Sequence, residues 1–451
     1  MADGQDNHDR DSATNEPRPL LPRAEEEAGP ATPRSTRRRV ARWVSLGLSV
    51  AVLLAAGTGS FVYLRLNGNL RDLPLFGGVG ANAGTERPDA FGRTPLNVLV
   101  IGSDTRAGQA DCRLGGDCGP GRHADVEMVL HIAANRSHAT VLSIPRDTVM
   151  RLPACRIPKG GVAAARRDAV NSTLQYGPGC TVAAVHALTA LPIDHFVLSD
   201  FAGLVRMSDA VGGVTVCADR DVYDPSSRLK LAQGEHALKG DAALEFLRSG
   251  HGFGDGGDLG RTDAQHLFLA ALARRMRTGD ALTDPAGLLS LADAATRALT
   301  VDTGLATVHK LSGLADDVRK VPSDRFTFTT MPSRPDPYDR NRLVPGPAAE
   351  GLFATIGADR PLSVTGSGAP SASGAKRHAA GGTPGPPSDE TFEDRTNRVT
   401  ASPTATAASG RTAAGGACAP VSTTASVTLH GVAMTPTAAF AATPRVPVSA
   451  P

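Results

Sequence analysis

The sequence predicts an α/β domain with helices on both faces of a sheet, attached to a membrane by one N-terminal helix. Three observations carry this. Strand-like apolar runs alternate with helical patterns between residues 95 and 357, the arrangement that layers helices over a sheet. Residues 43–64, from Trp43 to Leu64, carry no charge and are long enough to cross a bilayer as a helix of about 20 residues. Residues 1–42 and 358–451 are polar or rich in Ala, Thr, Ser, Gly and Pro. Such compositions bury too little apolar surface to offset ordering entropy, so both ends are expected to be disordered.

Arg34, Arg37, Arg38, Arg39 and Arg42 precede the apolar stretch. The positive-inside tendency then places residues 1–42 in the cytoplasm and the bulk of the chain outside, with Trp43 and Tyr63 at the two interfaces. A cleaved signal peptide is the alternative. The long leader, an apolar run longer than a usual signal-peptide core, and no convincing Ala-x-Ala site following it favour an uncleaved anchor. Five cysteines (Cys112, Cys118, Cys155, Cys180, Cys217) fall in the external domain and Cys418 in the tail. An even set in an oxidising compartment favours disulfides, with Cys112–Cys118 and Cys155–Cys180 as candidate pairs. No Cys-x-x-Cys occurs, and the histidines are not spaced with the cysteines as zinc sites require. A formal net charge of +2, with no basic residues interleaved with aromatics, argues against nucleic acid as a partner.

Along the external part, residues 65–94 are Gly-rich and aperiodic, so they read as a linker. The run Gly77 to Gly84 has the glycine density of a dinucleotide loop but follows no strand and opens no helix. Three apolar, β-branched-rich runs follow, at Leu96–Gly102, Val126–Ala133 and Thr140–Ile144, and read as buried strands. Each ends or begins at an acid–arginine pair: Asp104/Arg106, Arg122/Asp125 and Arg146/Asp147. If the first two strands are adjacent and antiparallel, Asp104 and Asp125 fall close together. Two such carboxylates repel unless a cation lies between them. A hard ion that also takes phosphate oxygens, Mg²⁺, fits one or two carboxylates, and the arginines suit a phosphate-bearing substrate. Alternatively, Asp104 and Asp147 cap turns or helices; spacing leaves both readings standing.

Asn171 lies early in a helix that includes Leu174. A helix at Val182–Leu188, a strand at Asp194–Ser199, an amphipathic helix at Phe201–Ala210 and a strand in Gly212–Cys217 come next. A helix over Leu238–Ser249 carries Arg248 at its end, and a long helix from Arg261 to Arg277 follows a Gly-rich loop. Arg261 and Gln265 are four apart and share a face that continues through Phe268, Leu269 and Leu272. Two polar donors at a helix N-terminus suit phosphate. A solvated first turn is the alternative, although Asp or Glu is commoner there than Arg. Helices at Pro285–Leu299 and Leu305–Lys320, a strand at Arg325–Met331 and a helix at Ala348–Ile356 close the domain.

These residues carry a resemblance. Gly-Ser-Asp-Thr-Arg106, Asp125 with Met128 and His131-Ile, Leu142-Ser-Ile-Pro-Arg-Asp147, Asn171, Pro192-Ile-Asp-His-Phe196, Asp209-Ala-Val-Gly-Gly-Val214, Gly240-Asp-Ala-Ala-Leu-Glu-Phe-Leu-Arg248, and Asp258-Leu-Gly-Arg261 with Gln265 occur in order. Over residues 95–357 the chain resembles the LytR-CpsA-Psr family, membrane-anchored enzymes that move glycopolymers from a polyprenyl-(pyro)phosphate carrier onto peptidoglycan. The resemblance implies an α/β/α sandwich with a mixed central sheet, and helices enclosing a groove for the lipid tail. It implies Mg²⁺ held by Asp104 and Asp125 at the pyrophosphate, catalytic roles for these two with Arg146 and Arg248, and substrate contacts from Arg106, Arg122, Asn171, Arg261 and Gln265.

The chain departs from the family pattern in several places. The family's Arg-x-Asp is Arg122-His-Ala-Asp125 here, so Arg122 acts with a one-residue shift or His123 takes its place. Three family cations are replaced by Ala169, Gly250 and Ala264, with Arg166 or Arg167 as candidate substitutes for the first. These losses motivate two alternatives to the transferase: a weakened relative that binds polyprenyl-linked glycans, and a polyprenyl-pyrophosphate phosphatase.

Overall fold

The computed structural model describes residues 34–80, 82–103, 123–158, 160–278, 284–362, 410–412 and 418–450. The chain divides into two compact units, residues 1–61 and 62–451. Helix α1 (Arg34–Asn69) contains the expected span. Its portion Val40–Asn69 is the one helix among the described residues long and apolar enough to cross a membrane. Trp43 and Leu53 stand 73% and 70% exposed, as side chains facing lipid do.

The second unit is built on an eight-stranded sheet. In chain order its strands are β1 (Arg71–Leu73), β2 (Leu96–Ser103), β3 (Ala124–Ile132), β4 (Ala139–Ile144), β5 (His195–Asp200), β6 (Leu299–Asp302), β7 (Phe326–Thr330) and β8 (Gly410–Thr412). In space they run β1-β6-β5-β2-β3-β4-β7-β8. β2, β3 and β4 form an antiparallel meander, flanked by β5 parallel to β2 and β7 parallel to β4. The sheet is therefore mixed, as expected. Strands covered on both faces need near-continuous apolar sequence, which is what Leu96–Gly102 and Val126–Ile132 supply.

Alternation along the strands sends Leu99, Ile101, Val129 and Leu142 to one face. There they pack with Val182 and Val185 of α2 (Pro178–Thr189) and Leu352, Phe353 and Ile356 of α8 (Ala349–Gly357). Val100, Met128, Val141 and Phe328 face the other way, against Leu269 and Ala270 of α5 (Asp258–Thr278). The result is the three-layer α/β/α arrangement. Beyond α5, a further core gathers α3 (Phe201–Ala210), α4 (Gly240–Arg248) and the paired strands Val214–Ala218 and Gly234–Leu238. Phe246 anchors it, with its ring 5.1 Å from that of Phe253 and 6.2 Å from that of Phe268. Offset aromatic pairs at such separations contribute about 0.5–1.5 kcal/mol each beyond their burial. Two further helices complete this side, α6 (Pro285–Ala298) and α7 (Val308–Lys320). Asp284 and Thr307 cap their first turns, accepting from Gly287 N and Lys310 N, the side-chain capping that orphan amide groups require.

Two stretches differ from expectation. Within residues 65–94, read as a linker, β1 pairs with β6, and Asn69 Nδ2 donates to Asp293 Oδ1 (3.2 Å) and Thr296 Oγ1 (3.1 Å). Ala83 is 7% exposed in the sheet core. Three residues that pair through backbone groups need no side-chain alternation, so the sequence carried no strand signal there. The second correction concerns the tail expected to be disordered over residues 358–451. Residues 418–450 are folded, as a hairpin of Val427–Leu429 and Val432–Met434 and helix α9 (Pro436–Ala442), and β8 extends the main sheet beside β7. The tail is held by a Cys217–Cys418 disulfide and by backbone pairing rather than by large apolar side chains. Ala419 N donates to Cys217 O (2.7 Å) and Ser422 N to Gly252 O (3.0 Å). The expected Cys155–Cys180 disulfide forms; Cys112 and Cys118 lie outside the described residues.

Candidate active site

The site begins at an irregularity in the central ladder. Along β2 and β3, Gly102 lies opposite Val126, yet the next residue, Ser103, lies opposite Ala124. Asp125 is thus the extra residue of a bulge, a feature that re-aims a side chain and ends pairing. Glycine at 102 permits the close approach, since a Cβ there would sit 2.8 Å from Val126 Cβ. The antiparallel pairing places the end of β2 beside Asp125, as the sequence suggested. Asp104 itself, with Arg106 and Arg122, lies outside the described residues.

Arg146 follows the end of β4, next to the bulge in β3. Its Nη1 donates to Asp125 Oδ1 at 2.5 Å, and its Nε is 3.6 Å from Asp147 Oδ2. Asp147 is tied in turn to Arg342 Nη1 (3.0 Å), so Asp147 serves the loop structurally. Asn171, in a 3₁₀ turn over Val170–Tyr176 rather than an α-helix, donates its backbone N–H to Arg146 O (3.2 Å) and its Nδ2 to Asp147 Oδ1 (3.5 Å). Asn171 therefore fixes the loop that carries Arg146. The Asp125 carboxylate is 15% exposed and the Arg146 side chain 29%, so the pair is sheltered but reachable.

The second half of the site comes from α4 and α5. Arg248 ends α4, and α5 starts at Asp258, three residues earlier than expected, which leaves Arg261 in its first turn. Gln265, 3% exposed, donates Nε2 to Leu247 O (3.2 Å). This satisfies one of the carbonyls that a helix end leaves open and makes Gln265 a brace for Arg248. The guanidinium of Arg261 lies against Gly250, where a Cβ would stand 2.9 Å from Nε and 3.0 Å from Cζ.

His266 joins the two halves, and the sequence reading missed it. His266 Nε2 and Ser143 Oγ meet at 2.5 Å, both residues buried, at 7% and 2% exposure. This hydrogen bond docks the start of α5 on the end of β4, three residues before Arg146. Its partners sit within otherwise apolar patterns, which hid the pair. Glu127, 1% exposed on β3, is a further carboxylate close by in sequence that the motif reading passed over.

Small, buried residues stand where the family pattern has cations. Ala169 and Ala264 are 2% and 1% exposed, and position 250 is taken by the Arg261 guanidinium. The candidate substitutes for the first are engaged elsewhere. Arg166 pairs with Asp168 (3.1 Å) and lies 4.8 Å over the Tyr176 ring. Arg167 Nη2 reaches both oxygens of Asp336 at 2.8 Å and lies 5.0 Å over Tyr338.

An aspartate on a bulge, with three arginines supplied by a strand end, a helix end and a helix start, can neutralise a multiply charged anion. Comparison with known proteins gives that arrangement a family. The LytR_cpsA_psr family model matches residues 82–348. The cell wall biosynthesis protein LcpA of Corynebacterium glutamicum is 30% identical over 334 residues, covering 67% of this chain and 62% of LcpA. This chain thus spans less than two thirds of that relative's length. A polyisoprenyl-teichoic acid–peptidoglycan teichoic acid transferase, TagU, of Halalkalibacterium halodurans is 25% identical over 252 residues, covering 54% of this chain and 76% of TagU. Among solved structures, the LytR-Csp2A-Psr enzyme from Actinomyces oris matches with a TM-score of 0.48 and 21% identity, covering 64% of this chain and 95% of that one. With the family model matched over more than half its length, the chain belongs to the LytR-CpsA-Psr family.

Proposed function

We propose that the chain is a membrane-anchored transferase that moves a glycopolymer from a polyprenyl-(pyro)phosphate carrier onto peptidoglycan, with the N-terminus cytoplasmic and the second unit outside the membrane. The observation that carries this reading is the joining of the Asp125–Arg146 strand end to the Arg248 and Arg261 helix ends through His266–Ser143 and Gln265–Leu247. Phosphoryl transfer asks a protein for positioning and for neutralisation of oxygen charge, and this cluster offers both.

Arg146, Arg248 and Arg261 grip the pyrophosphate oxygens, and a hydroxyl of the wall acceptor attacks the sugar-linked phosphorus. A new P–O bond forms, the bond to the distal phosphate breaks, the hydroxyl proton passes to solvent and polyprenyl phosphate leaves. The half-buried apolar side chains Val100, Val126 and Leu269, between the sheet and α5, support a seat for the lipid tail. Asp125 offers hard oxygen donors on a bulge, which suits Mg²⁺; with Asp104 it would hold the ion. Bound there, Mg²⁺ supplies charge neutralisation at the phosphate oxygens.

A second reading is a relative that binds the lipid-linked glycan without turning it over, favoured by the uncharged residues Ala169, Gly250 and Ala264 in place of cations. Incubation of the full chain in detergent with a lipid-linked glycan, peptidoglycan and Mg²⁺ separates the readings. A phosphodiester-linked wall product that Asp125→Ala abolishes supports transfer. Tight binding without turnover supports the second reading. Free glycan or phosphate without a wall product points instead to a phosphatase.

A further inference from the structure

At the end of the β2–β3 ladder opposite the active site, a second group of chemically capable side chains comes together. One ring nitrogen of His131, one of His138 and one carboxylate oxygen of Asp359 lie within 4.8 Å of one another. His131 is the next-to-last residue of β3 and sits opposite Asn97. Asn97 is six residues before the end of β2, so the cluster lies about 20 Å along the strand from the Asp125 bulge at roughly 3.3 Å per residue. His138 precedes β4 on the tight β3–β4 connection. Asp359 follows α8 in a left-handed conformation, φ 54°, which turns its carboxylate back over that connection. Three separate stretches of chain therefore meet here.

The hydrogen bonds prescribe where the ring protons lie. Asn97, 1% exposed, donates Nδ2 to Glu86 Oε1, so its Oδ1 is the atom that meets His131 Nδ1 at 2.8 Å. An amide oxygen only accepts, and His131 Nδ1 therefore carries hydrogen. His131 Nε2 faces Asp359 Oδ1 at 3.1 Å. In the neutral ring that contact sets a lone pair against a carboxylate oxygen, and it becomes favourable only with a second proton or with a cation between the two. Asp359 Oδ2 is occupied separately by Ala134 N–H (3.1 Å).

His138 decides between proton and metal. Its Nδ1 is taken by Ser137 Oγ (3.1 Å). Its Nε2 is buried and has no hydrogen-bond partner among the described residues, on a side chain only 9% exposed. A second proton on His131 satisfies Asp359 but leaves His138 Nε2 unused. A metal ion can use one nitrogen of each ring and the carboxylate at once. From this juxtaposition we propose that His131, His138 and Asp359 form a zinc site in which the ion pins the end of α8 to the β3–β4 connection, water taking the fourth position. Two imidazoles and one carboxylate form a ligand set that Zn²⁺ takes readily. Histidine Nε2 coordination with Nδ1–H held by a buried amide is the outer-shell arrangement that orients such ligands. The carboxylate oxygens at Asp125 come without an imidazole, so Zn²⁺ should bind there more weakly than at this site.

The test uses the full chain in detergent, stripped with EDTA and titrated with Zn²⁺ against a chromophoric chelator. One equivalent is expected to bind with a Kd below about 1 µM, and the thermal midpoint is expected to rise with zinc. His138→Gln and Asp359→Asn should each weaken zinc binding at least about tenfold and abolish that rise, while His138→Gln melts like the wild type in EDTA. Zinc-edge X-ray absorption of the loaded wild type should count two imidazole ligands, a readout that does not depend on the variants folding. Failure to bind zinc, unchanged stoichiometry and affinity in both variants, or an imidazole count other than two overturns the proposal.

Discussion

Gly250→Ala isolates the part played by Arg261, because it adds one methyl group where the guanidinium now lies. The added Cβ would stand 2.9 Å from Nε and 3.0 Å from Cζ of Arg261 and closer still to Nη2, below ordinary contact distance. The atoms it meets are the far end of a flexible side chain, so the arginine swings away and the backbone stays. Position 250 is buried but the clash is with a movable side chain, so stability should fall by no more than about 1 kcal/mol, the centre of the range for point substitutions. If Arg261 grips the donor phosphate, that contact is what is lost, and a hydrogen bond to a charged group contributes about 1.5–3 kcal/mol. Roughly a ten- to 150-fold rise in KM for the lipid-linked donor follows at 1.4 kcal/mol per decade. If Arg261 holds ground state and transition state alike, kcat stays near the wild-type value. Initial rates against donor concentration, paired with thermal melting, measure both quantities. Gly250→Arg, which restores the family's cation type, should be no more active than Gly250→Ala, for the same steric reason. A wild-type KM in Gly250→Ala would refute the assignment of Arg261 to the donor phosphate.

Three further outcomes are expected. Asp125→Asn keeps the size of the bulged residue but removes its charge, and should lower kcat by about 10²–10³-fold, the range for losing one electrostatic stabiliser, with the Mg²⁺ requirement shifted to higher concentration; unchanged Mg²⁺ dependence would separate Asp125 from the ion. Removing the Cys217–Cys418 bridge as the double serine variant frees a sequence separation of 201 residues, which loop-closure entropy values at about 5 kcal/mol. The same treatment of Cys155–Cys180, with a separation of 25, comes to about 3.5 kcal/mol, so melting should fall further in the first variant, and the reverse order would count against this account. Burial first, and then Asp194, push the Glu86 carboxyl up to about 7. Because the folded chain holds a proton that the unfolded chain releases above about 4.5, this group makes stability fall as pH rises from about 4.5 to about 7. Glu86→Gln should flatten that fall in a melting series from pH 4.5 to 8; identical slopes in the two proteins would show that Glu86 does not titrate in this way.

The parts of the fold that were legible in the sequence are those where one physical pattern dominates. Leu96–Gly102 and Val126–Ile132 are apolar, β-branched-rich runs, and the antiparallel pairing taken as a condition in the sequence holds and brings Asp125 to the end of β2. Arg248 at the close of α4 and Arg261 in the first turn of α5 were legible from helical periodicity and the Gly-rich interruption between them. The bulge at Asp125 was not, because it follows from the contact of Gly102 with Val126 across two strands. Gln265 was read as a phosphate ligand from its face of the helix, and its partner Leu247 O is a backbone group that leaves no mark in sequence. The tail misled by composition: Ala419, Val421 and Ala439 are 1%, 4% and 0% exposed. Small residues can fill a narrow seam between existing elements, even though the same residues, counted, resemble a disordered extension.

That seam has a consequence for the order in which the molecule becomes competent. Gly254 N donates to Pro420 O (2.8 Å) and Ser426 Oγ to His251 O (2.7 Å), so the loop joining Arg248 to Arg261 is completed by residues made long after both. Bridges such as Phe253 with Val421 are non-local contacts, and contacts of that kind slow folding because loop closure precedes any gain. A chain halted short of residue 418 could assemble the sheet and the Asp125–Arg146 pair, yet its anion-gripping loop would lack its outer wall. If the arginines take the donor phosphate, affinity there would report that residues 418–426 have been made and that Cys217 and Cys418 have been oxidised.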